Sequence, residues 1–217
     1  MSEPTRSPSD AGSIVVSGTG RVAVQPDIAD LRLGVSVARL TVDEARNDAA
    51  STMAAILAAL DSAGIAKKDV RTSLLSLQPR YEYRDNQPPR LSGYELANVV
   101  EVTVRDLARI ADAIDGALKA GATSMDGLTF RLADPAPAER EARKLAMAQA
   151  RSRADVLAEA AGVTITGVQS VVEDGANQPP HPFAKAERMM LAADASTPVE
   201  SGSLEISVRV TVAYRTS

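Results

Sequence analysis

Residues 135–162 read PAPAEREARKLAMAQARSRADVLAEAAG, and their spacing predicts one long helix. At helical periodicity Ala142, Leu145, Ala146, Ala150, Ala154, Leu157, Ala158 and Ala161 share a stripe. Glu139, Arg143, Lys144, Arg151, Asp155 and Glu159 lie mostly away from it. Asp134 suits the cap, Pro135 the first helical position and Gly162 the stop. A stripe made mostly of alanine lets a helix lie close on its neighbour, so a sheet is expected beneath it.

Toward the C-terminus a strand is expected at Gly167–Glu173, followed by a long segment from Asp174 to Gly202 that contains Pro179, Pro180, Pro182 and Pro198. Connections of that length are usually functional or disordered. Met189, Met190 and Leu191 stand out in it as apolar residues in polar surroundings, and flexible methionines suit an adaptable binding surface. The last strand, Ser203–Arg215, alternates throughout: Leu204, Ile206, Val208, Val210, Val212 and Tyr214 on one face, polar residues on the other.

Toward the N-terminus, residues 1–12 read as a disordered tail rich in Ser and Pro. A strand at Ser13–Val24 is interrupted by Ser17-Gly18-Thr19-Gly20, where a bulge or bend is expected. Ile28–Ala38 alternates, with Leu31, Leu33, Val35 and Val37 facing one way. Thr41-Val42-Asp43-Glu44 carries the capping-box pattern and opens a helix with Val42, Ala45, Ala49, Met53, Ile56, Leu57 and Leu60 along one stripe. A strand from Val70 to Tyr83 contains Pro79, which argues for an edge position or a bulge. A hairpin connection at Arg84–Ser92 leads into Gly93–Arg105, whose one face holds Tyr94, Leu96, Asn98, Val100, Val102 and Val104. Asn98 on that face needs a hydrogen-bond partner if buried. A helix at Leu107–Ala120, with Leu107, Ile110, Ala111, Ile114 and Leu118 in register, and a strand at Gly127–Ala133 complete the chain.

Ala63-Gly64, Ala120-Gly121 and Ala161-Gly162 each stop a helix about six residues before a strand, a repeated helix-to-strand return. The element order is ββαββαβαββ. The expected class is α+β, a mainly antiparallel sheet with helices packed on one side, as one domain over 13–217 with two intimately packed halves.

The totals narrow the function. A net charge of -4 leaves no basic excess to displace counterions from phosphates, so no nucleic-acid partner is expected. With 3% aromatics and no Trp, stacking platforms are also unexpected. Without Cys there is no thiolate nucleophile or sulfur-ligated metal. The opening residues carry no apolar leader and no run approaches the ~18 residues of a membrane helix, so no integral membrane segment is expected. A cytoplasmic location follows from the sequence as written, with a periplasmic or exported one if those residues replaced a leader.

Catalytic patterns fare poorly. Gly18-Thr19-Gly20 lacks a third glycine and precedes a strand, which disfavours a nucleotide loop. His181 is the lone histidine, so no triad or multi-histidine site forms within one chain. The acidic residues of the long helix alternate with arginines at four-residue spacing, as on a solvated face. Tyr81, Tyr83 and Tyr94 are expected near one hairpin, either as packing residues or as a contact surface for a partner.

The order and spacing of several pieces resemble the SIMPL-domain family. They are Ser17-Gly18-Thr19-Gly20, Pro26-Asp27-Ile28-Ala29, Ala45, Asn47, Met53, Gly64-Ile65, Asp69-Val70, Tyr81 with Tyr83, Gly93-Tyr94, Asn98, Gly121-Ala122 and Phe130. The strongest part runs from Ala150-Arg151 through Ala154, Leu157-Ala158 and Ala161-Gly162-Val163 to Gly167-Val168. Members include YggE-type and periplasmic immunogenic proteins. The resemblance implies an α+β fold of paired ββα-type units, assembly of some members into ring-like or channel-like oligomers, and protection under oxidative stress. It implies no catalytic set. The expectation is therefore a non-enzymatic homo-oligomer without cofactor or metal, with Tyr81, Tyr83, Tyr94, Met189, Met190 and Leu191 as candidate contact residues. The alternative is a monomeric module that captures a protein or peptide by adding a strand to an open sheet edge.

Overall fold

The computed structural model describes residues 12–85, 87–174 and 199–217, and residues 181–183 by their backbone. The elements are β1 (Ser13–Val24), β2 (Ile28–Arg39), α1 (Val42–Ser62), β3 (Val70–Glu82), β4 (Arg90–Val104), α2 (Ile110–Lys119), β5 (Ser124–Arg131), α3 (Ala136–Ala161), β6 (Ile165–Asp174), β7 (His181–Phe183) and β8 (Ser203–Thr216). The fold is α+β with antiparallel pairing throughout, and the strands divide between two sheets. Two compact units hold them: one takes the described residues of Met1–Gln25, Asp134–Ala186 and Gly202–Ser217, the other those of Pro26–Ala133 and Glu187–Ser201.

The first unit is built round β8. Its alternation buries Leu204, Ile206, Val208, Val210, Val212 and Tyr214, while β1 pairs along one side and β6 with the short β7 along the other. The pairing of β7 puts a strand inside the segment expected to be a loop. At the other end, the Gly12 carbonyl accepts from the Thr216 amide at 2.8 Å, which ties the last residue of the expected tail to the sheet.

Helix α3 lies across β1 and β8. Asp134 accepts from the Ala136 amide at 3.0 Å and Gly162 closes the helix at φ 67°. Its buried stripe consists of Ala142, Ala146, Ala150, Ala154 and Ala158 alone. Leu145, Leu157 and Ala161, expected on that stripe, are exposed. The reason lies in β1. A Cβ on Gly18 would meet the Ala146 carbonyl oxygen at 2.0 Å, and one on Gly20 would meet that of Ala142 at 1.9 Å. The helix backbone rests on strand backbone, and a leucine in the contact would hold the two apart. The expected bulge at these glycines is absent, because the β1–β8 register runs unbroken from Ser13↔Arg215 to Val24↔Leu204.

The second unit runs β2-α1-β3-β4-α2-β5 with sheet order β3-β4-β2-β5, the βαββαβ arrangement of ferredoxin-like folds. Leu31, Leu33, Val35, Val100, Val102 and Val104 on one sheet face pack with Ala45, Ala49, Met53, Ile56 and Leu60 of α1 and Ile110, Ala113, Ile114 and Ala117 of α2. The capping box closes α1: the Glu44 amide donates to Thr41 Oγ1 at 3.3 Å, and the Thr41 amide to Glu44 Oε2 at 3.2 Å. Val42 and Leu57, at the margins of the expected α1 stripe, are exposed. So is Leu118, because residues Leu107–Arg109 form a 3-10 turn that resets the phase and lets Ala113 and Ala117 face the core. Val199 packs against this core.

All three glycine stops share one closure. Ile65 donates to Leu60, Ala122 to Ala117 and Val163 to Ala158, each backbone bond at 3.0 Å, round glycines with positive φ. This is the six-to-one bond of a Schellman ending.

Candidate interaction surface

Strand β3 is an edge of its sheet, paired on one side with β4, as Pro79 led one to expect. Proline lacks an amide proton and is tolerated where the ladder ends. The strand is exposed along almost its whole length, and it carries Leu74, Leu75 and Leu77 with exposures of 44%, 68% and 44%. A register shift between Thr72 and Leu74 brings Leu75 opposite Asn98 and Leu77 opposite Leu96, while Ser73 Oγ donates to the Val99 carbonyl at 3.3 Å. Three leucines within four residues do not fit simple alternation, and a bulge is how the sheet accommodates them.

The hairpin end of β3 and β4 carries the tyrosines. Tyr81 is paired with Leu91 and Tyr94 with Pro79. Tyr81 and Tyr83 are 48% and 76% exposed, whereas Tyr94 is half-buried. The hairpin thus brings Tyr81 and Tyr94 onto nearby rungs, with Tyr83 just beyond the last one and Tyr94 the most enclosed. Met189, Met190 and Leu191 lie outside the described residues. Sequence reasoning missed the three leucines, although their run beside Pro79 was the available signal.

Asn98 presents the polar problem expected of it. It stands between Val35 on β2 and Leu75 on β3, and its Oδ1 is buried without a hydrogen-bond partner among the described residues. Beside β3, a groove of about 600 Å³ opens against α1, lined by Met53, Leu57, Ile65, Val70 and Thr72 among others. Between Val70 and Thr72, Arg71 pairs with Glu101 of β4 at 2.8 Å. Such exposed pairs are worth at most ~1 kcal/mol.

Of the acidic residues of α3, Glu139, Glu141 and Asp155 are engaged by cations. Arg151 reaches Asp155 at 2.9 Å, and Arg143 reaches Glu139 at 3.3 Å and Glu173 at 3.0 Å. Hydrogen bonding to Glu173 raises the pKa of the Arg143 guanidinium. Among the described residues no group of three or more His, Cys, Asp or Glu side chains is placed to hold a metal ion. No helix among them is long and apolar enough to cross a membrane.

A family model described as "SIMPL: Protein of unknown function (DUF541)" matches residues 14–214. The chain is 33% identical to the 26 kDa periplasmic immunogenic protein of Brucella melitensis over 208 residues, covering 93% of this chain and 83% of that protein. It is 35% identical to "Uncharacterized protein YggE" of Escherichia coli K12 over 187 residues, 86% of this chain and 74% of that one. The protein of the same name from Edwardsiella ictaluri is 30% identical over 208 residues, 94% of this chain and 87% of its own.

Proposed function

The chain belongs to the SIMPL family, whose function is unknown, and from its surfaces we propose that it is a non-enzymatic protein that assembles with copies of itself through the β3 edge. The observation that carries this reading is the open, leucine-bearing edge of β3. Soluble proteins ordinarily blunt such edges with charge, because an unpaired ladder recruits another strand. Here the middle of the strand is apolar instead.

Magnitudes indicate what the contact must include. Covering the exposed parts of Leu74, Leu75 and Leu77 yields about 3 kcal/mol. Association alone costs at least about 4 kcal/mol. The leucines therefore need the ladder hydrogen bonds of the edge, and Tyr81 and Tyr83 beside them, to give a stable complex. A second copy meeting β3 with its own β3 makes a closed dimer, whereas β3 meeting a different edge propagates head to tail and gives a ring where the rotation closes. Met189, Met190 and Leu191 are proposed as an auxiliary contact.

Light scattering after size exclusion tests the reading. The wild-type chain is expected at a multiple of 22.7 kDa, and Leu75→Glu/Leu77→Glu at the single-chain mass with unchanged circular dichroism. A wild-type monomer at micromolar concentration sinks self-assembly and leaves the second reading, capture of an extended peptide by the same edge. The resemblance to stress-protective members supports a protective role, for which survival of a deletion strain in peroxide is the measure. A periplasmic site of action is proposed from the relative named as periplasmic. Fractionation of the native host tests it.

A further inference from the structure

Three arginines from three elements of the first unit meet at one hollow: Arg21 of β1, Arg153 of α3 and Arg209 of β8. Ser17, Thr19 and Gln149 complete a lining around about 580 Å³. Several other arginines among the described residues are closed into tight pairs, such as Arg39–Asp48 at 2.6 Å and Arg105–Asp69 at 2.8 Å. In the hollow they are not. Among the described residues neither Arg153 nor Arg209 forms an ion pair, and Arg21 has Glu205 only at 3.7 Å. Arg153 instead donates to the neutral carbonyl of Ser17 at 2.7 Å, so its charge stays uncompensated.

The neutral groups are also committed in a way that leaves donors outward. Gln149 Oε1 accepts from the Thr19 amide at 2.7 Å, which leaves the side-chain NH2 to donate. Asp174, across the strand from Arg209, is occupied by the Thr211 hydroxyl at 2.9 Å. That bond uses the one proton of Thr211, so in the 3.2 Å contact of Ser17 with Thr211 it is Ser17 that donates. What faces the hollow is three guanidinium groups, one amide and the Thr19 hydroxyl, with two carboxylates, Glu205 and Asp174, beside it. A donor-rich, acceptor-poor cavity of net positive charge selects an acceptor-only ligand. A planar carboxylate is satisfied by one bidentate arginine, whereas guanidinium groups arriving from separate elements suit a tetrahedral dianion. The unbroken β1–β8 register and the seating of α3 on Gly18 and Gly20 place these donors on regular, closely packed elements.

We propose that this hollow binds a phosphate-type oxyanion, a phosphate ester or polyphosphate whose remainder fills the space beyond the charged group. Calorimetric titration of the full chain with pyrophosphate, at ionic strength held constant with sodium chloride, tests it. Saturable one-site binding is expected, with the Kd raised by about tenfold or more in Arg21→Ala/Arg209→Ala and by less in Arg209→Lys. Circular dichroism and the melting temperature of the free variants report that the fold is intact. Co-sedimentation with phosphatidylglycerol vesicles assigns the source: sedimentation that pyrophosphate competes away marks a lipid headgroup, pyrophosphate binding without sedimentation marks a soluble ester, and both support the site. Absence of saturable heat in the wild type, or equal affinity in the folded double variant, overturns it.

Discussion

Gly20 of β1 sits beneath α3 so closely that a Cβ on it would stand 1.9 Å from the carbonyl oxygen of Ala142. Gly18 repeats the relationship one turn along, 2.0 Å from Ala146. Both obstacles are backbone, so no rotamer change relieves the clash. Gly20→Ala is expected to cost about 3 kcal/mol, the upper end of overpacking effects. The urea midpoint measures it. Gly18→Ala/Gly20→Ala should cost less than the sum of the single changes, because α3 has to lift from the strand only once.

That relationship marks the limit of what the sequence discloses. Periodicity exposed nearly every element, since β8 alternates over its whole length and the Thr41 box and the glycine stops are local chemistry. Gly18 and Gly20 were legible as unusual but not as close-approach positions, because the helix they touch begins more than a hundred residues later. The same separation hid the meeting of Arg21, Arg153 and Arg209. Leu145 and Leu157 obey the helical period and still face water, because depth of burial depends on how near the sheet lies. Asn98 was legible as a polar residue on an apolar face, since alternation alone places it there.

Gly116 of α2 gives the opposite expectation from the same reasoning. A Cβ there meets the Ala59 Cβ at 3.6 Å, an ordinary contact, and the residue is helical. Gly116→Ala should stabilise the chain by ~0.5–1 kcal/mol, by removing freedom from the unfolded state and raising helix propensity. The urea midpoint should rise with the slope unchanged.

Gly162 tests the helix endings. Nothing lies within 4 Å of a Cβ placed on it, so only its φ of 67° opposes a side chain. Gly162→Ala is expected to cost about 1 kcal/mol, and Gly162→Asn less, since asparagine tolerates the left-handed region. Equal losses from the two would indicate a steric cause instead.

Acid should weaken the second unit through Asp30. Its carboxylate accepts from the Arg131 guanidinium, and from Thr103 Oγ1 at 2.8 Å. The Arg131 hydrogen bond, opposed by burial and aided by Thr103, holds its pKa below the ordinary carboxylate value. A depressed folded pKa means that the contribution is full above the unfolded pKa and disappears as pH falls through the folded one. Melting temperature followed from neutral pH down through and below the carboxylate range should show this loss. Asp30→Asn should be less stable at neutral pH and show a flatter acid limb.

Asn98 connects stability to assembly. Its buried Oδ1 has no partner among the described residues, and an unsatisfied acceptor of this kind costs ~1–3 kcal/mol. Val35 and Leu75 flank it across the strands, so an apolar residue of similar volume completes a hydrophobic row. Asn98→Leu is therefore expected to raise the melting temperature of the dissociated Leu75→Glu/Leu77→Glu background. In the otherwise wild-type chain the outcome depends on what covers β3. If a neighbouring copy donates a hydrogen bond to Oδ1, Asn98→Leu should weaken the assembly while stabilising the single chain. The two effects are separable, because light scattering reads the first and dilution-independent melting reads the second. A variant that stabilises both would show that the contact leaves Asn98 unsatisfied and is held by the leucines and the strand edge alone.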